Sequence, residues 1–108
     1  GEPELAEEYL SRIEGLEHTN PFFFIYRGEL ALHQGDLQTA LDYMVKAFRR
    51  DGGLPEVHLG LVKVYLALAD MERVRHHLER ALQLDATNQE ARKYALMIFG
   101  PEGEEDTK

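Results

Sequence analysis

The sequence repeats itself after 34 residues, and this period constrains the fold more than any other feature. Residues 35–47, GDLQTALDYMVKA, return as residues 69–81, ADMERVRHHLERA. In each copy a small residue precedes an aspartate, and apolar residues follow at spacings of three, four and three. These spacings place the apolar side chains in one stripe along a helix. The period therefore predicts a helical-repeat protein built from pairs of helices joined by tight turns.

Turn and capping signals predict where the helices begin and end. Asn20 and Pro21 start one first helix and Pro55 starts the next, while Gly35–Asp36 and Ala69–Asp70 separate first helices from second helices. If Ala69 keeps the positive φ of a turn glycine, the strain costs roughly 1 kcal/mol. The predicted organisation is a domain over residues 1–99, with the second helix of a truncated repeat at 3–17, repeat one at 21–54, repeat two at 55–88 and a closing helix at 89–99, followed by a disordered acidic tail at 100–108.

Composition excludes several classes of function. The 108 residues include 20 acidic and 12 basic side chains, and a net charge of -8 opposes binding to a nucleic-acid backbone. The longest nearly apolar run, residues 22–26, is too short to cross a bilayer, so we expect a soluble chain without membrane insertion. There is no cysteine, and Ser11 has no histidine near it in sequence, so we expect no catalytic triad, enzyme activity or cofactor. The compartment is unconstrained, with the cytoplasm slightly favoured.

The histidines favour structural over metal-binding roles. His76 and His77 are adjacent on a helix and point about 100° apart, so they cannot chelate one ion together. Glu72 and His76 have the right spacing, but two ligands without a third predict a surface ion pair. His58 lies at a position that packs between helices, and we expect a partly buried, hydrogen-bonded imidazole. We expect His33 on the surface.

The aromatic run at the start of repeat one covers more than one face of its helix. Phe23 and Phe24 are expected in the core, which leaves Phe22, Ile25 or Tyr26 to face a groove, the missing upstream helix or solvent. The register makes residues 3–17 a second helix whose first helix is absent from this sequence. Self-association of the chain through that uncovered helix is an alternative that the sequence leaves open.

The sequence resembles the tetratricopeptide repeat family over about residues 4–99. The consensus positions that match are Gly28, Ala40 and Ala47 in one copy and Leu61, Tyr65 and Ala81 in the other. The resemblance implies an all-α fold, a right-handed α-solenoid of antiparallel helix pairs with five helices. It also implies a non-enzymatic scaffold for protein–protein interaction.

The resemblance further implies that the first helix of each pair lines a concave groove that holds a peptide or a helix of another protein. Carried over by position, the groove residues are Phe22, Ile25, Glu29, Leu32 and His33, then Glu56, Leu59, Lys63 and Leu66, then Glu90, Lys93 and Met97. One branch of the family clamps a C-terminal carboxylate with Lys and Asn at the fifth and ninth positions of a first helix. In this sequence those positions hold Ile25, Glu29, Leu59 and Lys63, so the clamp is absent.

A closer likeness is to the C-terminal repeats of bacterial transglutaminase-like proteins. It is carried by NPFFFIYRGELALHQGD at residues 20–36 and PEVHLGLVKVYLALADMERVRHHLERAL at residues 55–82. The alternative function that this likeness implies is a structural C-terminal appendage of a larger enzyme, whose catalytic domain lies upstream.

Overall fold

Five α-helices account for the part of the chain that the computed structural model describes, which is the backbone of residues 20–105 and the side chains of residues 20–101. The helices are α1 (Pro21–His33), α2 (Leu37–Arg50), α3 (Pro55–Ala67), α4 (Met71–Leu84) and α5 (Gln89–Glu105). Helices α1 and α2 form one pair, α3 and α4 form the next, and α3 also packs on α1 and α2. The all-α prediction with five helices is confirmed over residues 20–105, where two pairs are followed by α5. The helix predicted over residues 3–17 lies outside the described residues.

Side-chain caps explain why the helices begin where they do. The Asn20 side chain accepts a hydrogen bond of 2.9 Å from the amide of Phe22, and Pro21 follows as the first helical residue. Asp36 and Asp70 accept in the same way from amides three residues ahead, at 3.2 and 3.3 Å. Each cap satisfies an amide that the first helical turn leaves without a backbone partner. The sequence-predicted starts of these helices are confirmed.

The turns inside the two pairs have the same backbone geometry. Gly35 has a φ of 79° and Ala69 a φ of 59°, and in each turn the amide of the following aspartate donates to a carbonyl five residues earlier. This is the hydrogen bond that closes many helices with a left-handed residue. Ala69 therefore has the positive φ of the turn glycine that it replaces. This conformation costs roughly 1 kcal/mol because the alanine Cβ crowds the backbone.

The core repeats with the period of the sequence. Fully buried side chains occupy equivalent places on the second helices: Ala40, Met44 and Ala47 on α2, and Val74, Leu78 and Ala81 on α4. Met44 joins the two pairs, because it packs against Gly28 of its own pair and against Gly60 of the next. A Cβ on either glycine would stand within 2.8 Å of a Met44 side-chain atom. The two glycines thus provide the space that lets one methionine fill the contact between repeats.

Helix α5 is interrupted near its end. Gly100 has φ 75° and ψ 177°, which are not helical values, and Pro101 follows it. The sequence predicts that the closing helix ends here and that a disordered tail begins at residue 100. Beyond this kink a helical backbone resumes from Pro101 to Glu105, because proline suits the first turn of a new helical segment, and the disorder of the tail stays a prediction. Residues 106–108 lie outside the described part of the chain. None of the helices over residues 20–105 is long and apolar enough to cross a membrane.

Candidate interaction groove

One lysine connects three helices that belong to successive repeats. Lys63 on α3 donates a hydrogen bond to Glu29 Oε1 on α1 at 3.1 Å, and its Nζ lies 3.4 Å from Glu90 Oε1 on α5. These helices are the first helices of repeat one, repeat two and the closing unit. Their side chains therefore meet on a common surface, which we call the groove face, defined by Glu29, Lys63 and Glu90.

The electrostatic surroundings keep Lys63 charged. Burial by itself lowers the pKa of Lys63, but the hydrogen bond and charge of Glu29 and the charge of Glu90 outweigh it, so the pKa lies above its ordinary value. The side chain of Lys63 is 24% exposed, against 40% for Glu29 and 49% for Glu90. The cation is thus the most enclosed of the three groups, with a carboxylate on either side.

The residues assigned to the groove from the sequence differ in accessibility. Phe22, His33, Glu56, Lys93 and Met97 are exposed, and Leu32 and Leu66 are partly exposed. Phe22 and Met97, at 50% and 73%, are the most exposed apolar members and lie on α1 and α5.

Two of the assigned residues are buried. Ile25 and Leu59, at 7% and 3% exposed, belong to the apolar core. A partner on the groove face would therefore contact the other positions and not these two side chains. Tyr26 is 59% exposed, and it follows Phe22 by four residues, so the two rings lie on one side of α1.

The predicted hydrogen bonding of His58 is confirmed, and the structure identifies a side-chain partner, His77, that the sequence did not indicate. His58 is 2% exposed, its Nε2 lies 2.8 Å from the carbonyl oxygen of Gly52, and its Nδ1 lies 3.0 Å from Nδ1 of His77. A carbonyl oxygen only accepts, so Nε2 of His58 carries a proton. In the neutral ring Nδ1 then accepts, and Nδ1 of His77 must donate to it. The pair ties α3 and α4 to the loop between the repeats.

Protonation of this pair is disfavoured. Burial lowers the pKa of His58, against the hydrogen bond to Gly52, which raises it. Burial, followed by the charges of the neighbouring histidines and Arg73, lowers the pKa of His77 to about 4. Only one proton fits between the two Nδ1 atoms, so charging both rings breaks their hydrogen bond. We therefore assign the pair a structural role, which is to stabilise the hairpin formed by α3 and α4.

No metal site is found in residues 20–101, where no group of three His, Cys, Asp or Glu side chains could hold an ion. Glu72 and His76 are both exposed and, contrary to the prediction, form no ion pair with each other in this part of the chain. The attraction between exposed charges in water is too weak to fix two mobile side chains in one geometry.

The paired helices and the shared face of their first helices define a helical-repeat protein. A family model described as tetratricopeptide repeat matches residues 31–93, more than half of the chain. The chain belongs to the tetratricopeptide repeat family, whose domains generally mediate protein–protein interaction. A comparison with curated proteins finds no match, and nothing found supports the transglutaminase-like likeness or a bacterial source.

Proposed function

We propose that this chain is a non-enzymatic interaction scaffold that binds a peptide or helix of a partner protein along the groove face. The observation that supports the proposal most directly is the contact of Lys63 with Glu29 and Glu90. It brings one side chain from each first helix to a single accessible surface. A partner lying across that surface would contact α1, α3 and α5 together.

Two further features support binding at this face. The helices of each pair pack closely on one another and α3 packs on both helices of the first pair, so association would need little ordering of the backbone. Phe22 and Met97 expose apolar side chains on the outer helices of the face. Exposed aromatic and methionine side chains are frequent anchors of protein interfaces.

Peptide-array screening with the full chain, followed by affinity measurements on the peptides that bind, tests the proposal. Met97→Glu and Phe22→Glu should weaken binding about tenfold or more, because each places a charge where an apolar contact is expected. Met71→Glu is the matched control, since Met71 is 38% exposed but lies on α4, a second helix. Equal loss of binding in all three variants, or no loss in the first two, would place the binding surface elsewhere.

Two sequence-based alternatives stay predictions. The appendage function rests on the transglutaminase-like likeness of residues 20–36 and 55–82, and the reading frame upstream of Gly1 tests it. Self-association rests on the helix predicted over residues 3–17. Light scattering over a range of concentrations tests it, and a constant monomer mass would reject it.

A further inference from the structure

The ion pairs on the groove face leave negative charge in excess. One ammonium group, that of Lys63, lies between the carboxylates of Glu29 and Glu90. Both carboxylates are more exposed than the lysine, at 40% and 49% against 24%. A molecule that approaches this face therefore meets carboxylate oxygens before it meets the cation.

The wider groove does not reverse this balance. Glu56 and Lys93 are also assigned to it, and both are exposed. They add one charge of each sign, so the face retains one carboxylate more than it has cations. His33 is exposed at one edge of the face.

An acidic ligand has no free cation at the centre of the face. To bind Lys63, its carboxylate would have to displace Glu29 or Glu90 from contacts of 3.1 and 3.4 Å and remain beside both of them. Like charges this close repel, and the repulsion is stronger near a protein surface than in bulk water. A basic ligand meets the opposite situation, because each glutamate has a second oxygen that is not used in the contact with Lys63 and can accept hydrogen bonds.

We propose that the partner of the groove face is a protein segment with a central arginine or lysine and apolar side chains on both sides. This inference rests on the proposed function of the groove face. The central cation binds Glu29 and Glu90. The flanking apolar side chains contact Phe22 on α1 and Met97 on α5, the two outer helices of the face. Lys63 is a positioning residue, because it holds the two carboxylates near each other and limits their attraction for the partner.

Three fluorescein-labelled peptides that differ only at a central Arg, Gln or Glu between leucines test this inference by fluorescence anisotropy. We expect the Arg peptide to bind at least about tenfold tighter than the Glu peptide, with the difference shrinking as salt is added. Glu29→Gln and Glu90→Gln should each weaken binding of the Arg peptide severalfold. Lys63→Met should strengthen it severalfold.

The Lys63→Met variant separates this inference from its opposite. If Lys63 binds a partner carboxylate, the Glu peptide binds best and Lys63→Met abolishes that binding, which overturns the proposal. Lys63→Gln keeps a hydrogen-bonding group and should show the same direction of change. Arg75→Met is the matched control, because Arg75 is exposed on α4 and its loss changes the net charge equally. An equal gain in Arg75→Met would show only a general charge effect and would also overturn the proposal.

Failure of the groove and failure of the charge preference give different results. Met97→Ser removes the apolar contact without adding a charge. If it weakens all three peptides equally and the Arg peptide has no advantage, the groove stands and the charge inference is wrong. If none of the peptides binds, or if binding is unaffected by Met97→Ser, the proposed function fails and this inference fails with it.

Discussion

Gly35 and Ala69 stand 34 residues apart and hold the same left-handed turn, with φ values of 79° and 59°. Glycine adopts this region without a steric cost, whereas the Cβ of alanine approaches a neighbouring carbonyl oxygen. Because the same hydrogen bond closes both turns, the turn in the second pair forms in spite of this strain. Replacing alanine by glycine at position 69 and glycine by alanine at position 35 therefore tests this strain in both directions.

We predict that Ala69→Gly stabilises the protein by at most about 0.5 kcal/mol, since relief of roughly 1 kcal/mol of strain is partly offset by the greater flexibility of glycine in the unfolded chain. Gly35→Ala should destabilise by a similar amount for the same reason. Urea unfolding followed by circular dichroism measures both. If the two substitutions change stability in the same direction, steric strain at positive φ does not control these turns.

The pair of His58 and His77 predicts a loss of stability in mild acid. The pKa of His77 falls from an ordinary 6.5 to about 4 in the folded protein, so the unfolded chain binds the proton more readily. Stability from this group is complete above pH 6.5 and is lost as the pH falls towards 4. The loss amounts to about 3 kcal/mol at most. The positive charges near the pair, on Arg73, Arg80 and His76, act in the same direction.

Urea unfolding at about pH 7 and about pH 4.5 measures this effect. His77→Gln removes the titrating ring, so it should reduce the difference between the two conditions. His33→Gln is the control, because His33 is exposed, and it should leave the difference unchanged. An equal difference in wild type and His77→Gln would assign the acid sensitivity to other groups.

We predict that Gly60→Ala destabilises the contact between the repeats. A Cβ at Gly60 would lie 2.5 Å from Sδ and 2.9 Å from Cε of Met44, whose side chain is fully buried. Overpacking of this kind costs about 1 to 3 kcal/mol, which exceeds the gain in helix propensity of about 1 kcal/mol. In a thermal unfolding experiment, Met44→Val should offset part of the loss when combined with Gly60→Ala. Strict additivity of the two changes would contradict the contact.

Ala81→Asp should destabilise by several kcal/mol. Ala81 is 0% exposed on α4, so the substitution buries a carboxylate without a partner. Gln83→Asp is the matched control, because Gln83 is exposed two residues further along the same helix. A melting temperature of Ala81→Asp equal to that of the control would be inconsistent with this burial.

Much of the fold follows from local signals in the sequence. Asn20, Asp36 and Asp70 cap helices at the predicted residues, and the left-handed turns end the preceding helices. The 34-residue period also predicts that Glu29 and Lys63 occupy the same position of successive first helices. In the structure these two side chains form an ion pair. These features depend on spacing along the chain, and spacing is directly readable.

The remaining features depend on how the helices lie against each other. Ile25 and Leu59 occupy groove positions by register, but the packing of the neighbouring helices covers them. The contact of His58 with His77 joins two helices of one hairpin, and no periodicity indicates it. Its tautomers follow only from the carbonyl oxygen of Gly52. Angles and separations between helices determine such contacts, and a sequence pattern does not specify them.

The placement of Met44 between Gly28 and Gly60 gives the chain an internal chemical reporter. The three methionines span the whole range of accessibility, with Met44 at 0%, Met71 at 38% and Met97 at 73% exposed. Hydrogen peroxide oxidises accessible thioethers first, so Met71 and Met97 should become sulfoxides while Met44 stays reduced. Peptide mass mapping then follows the slow oxidation of Met44, whose rate measures how often the two hairpins separate.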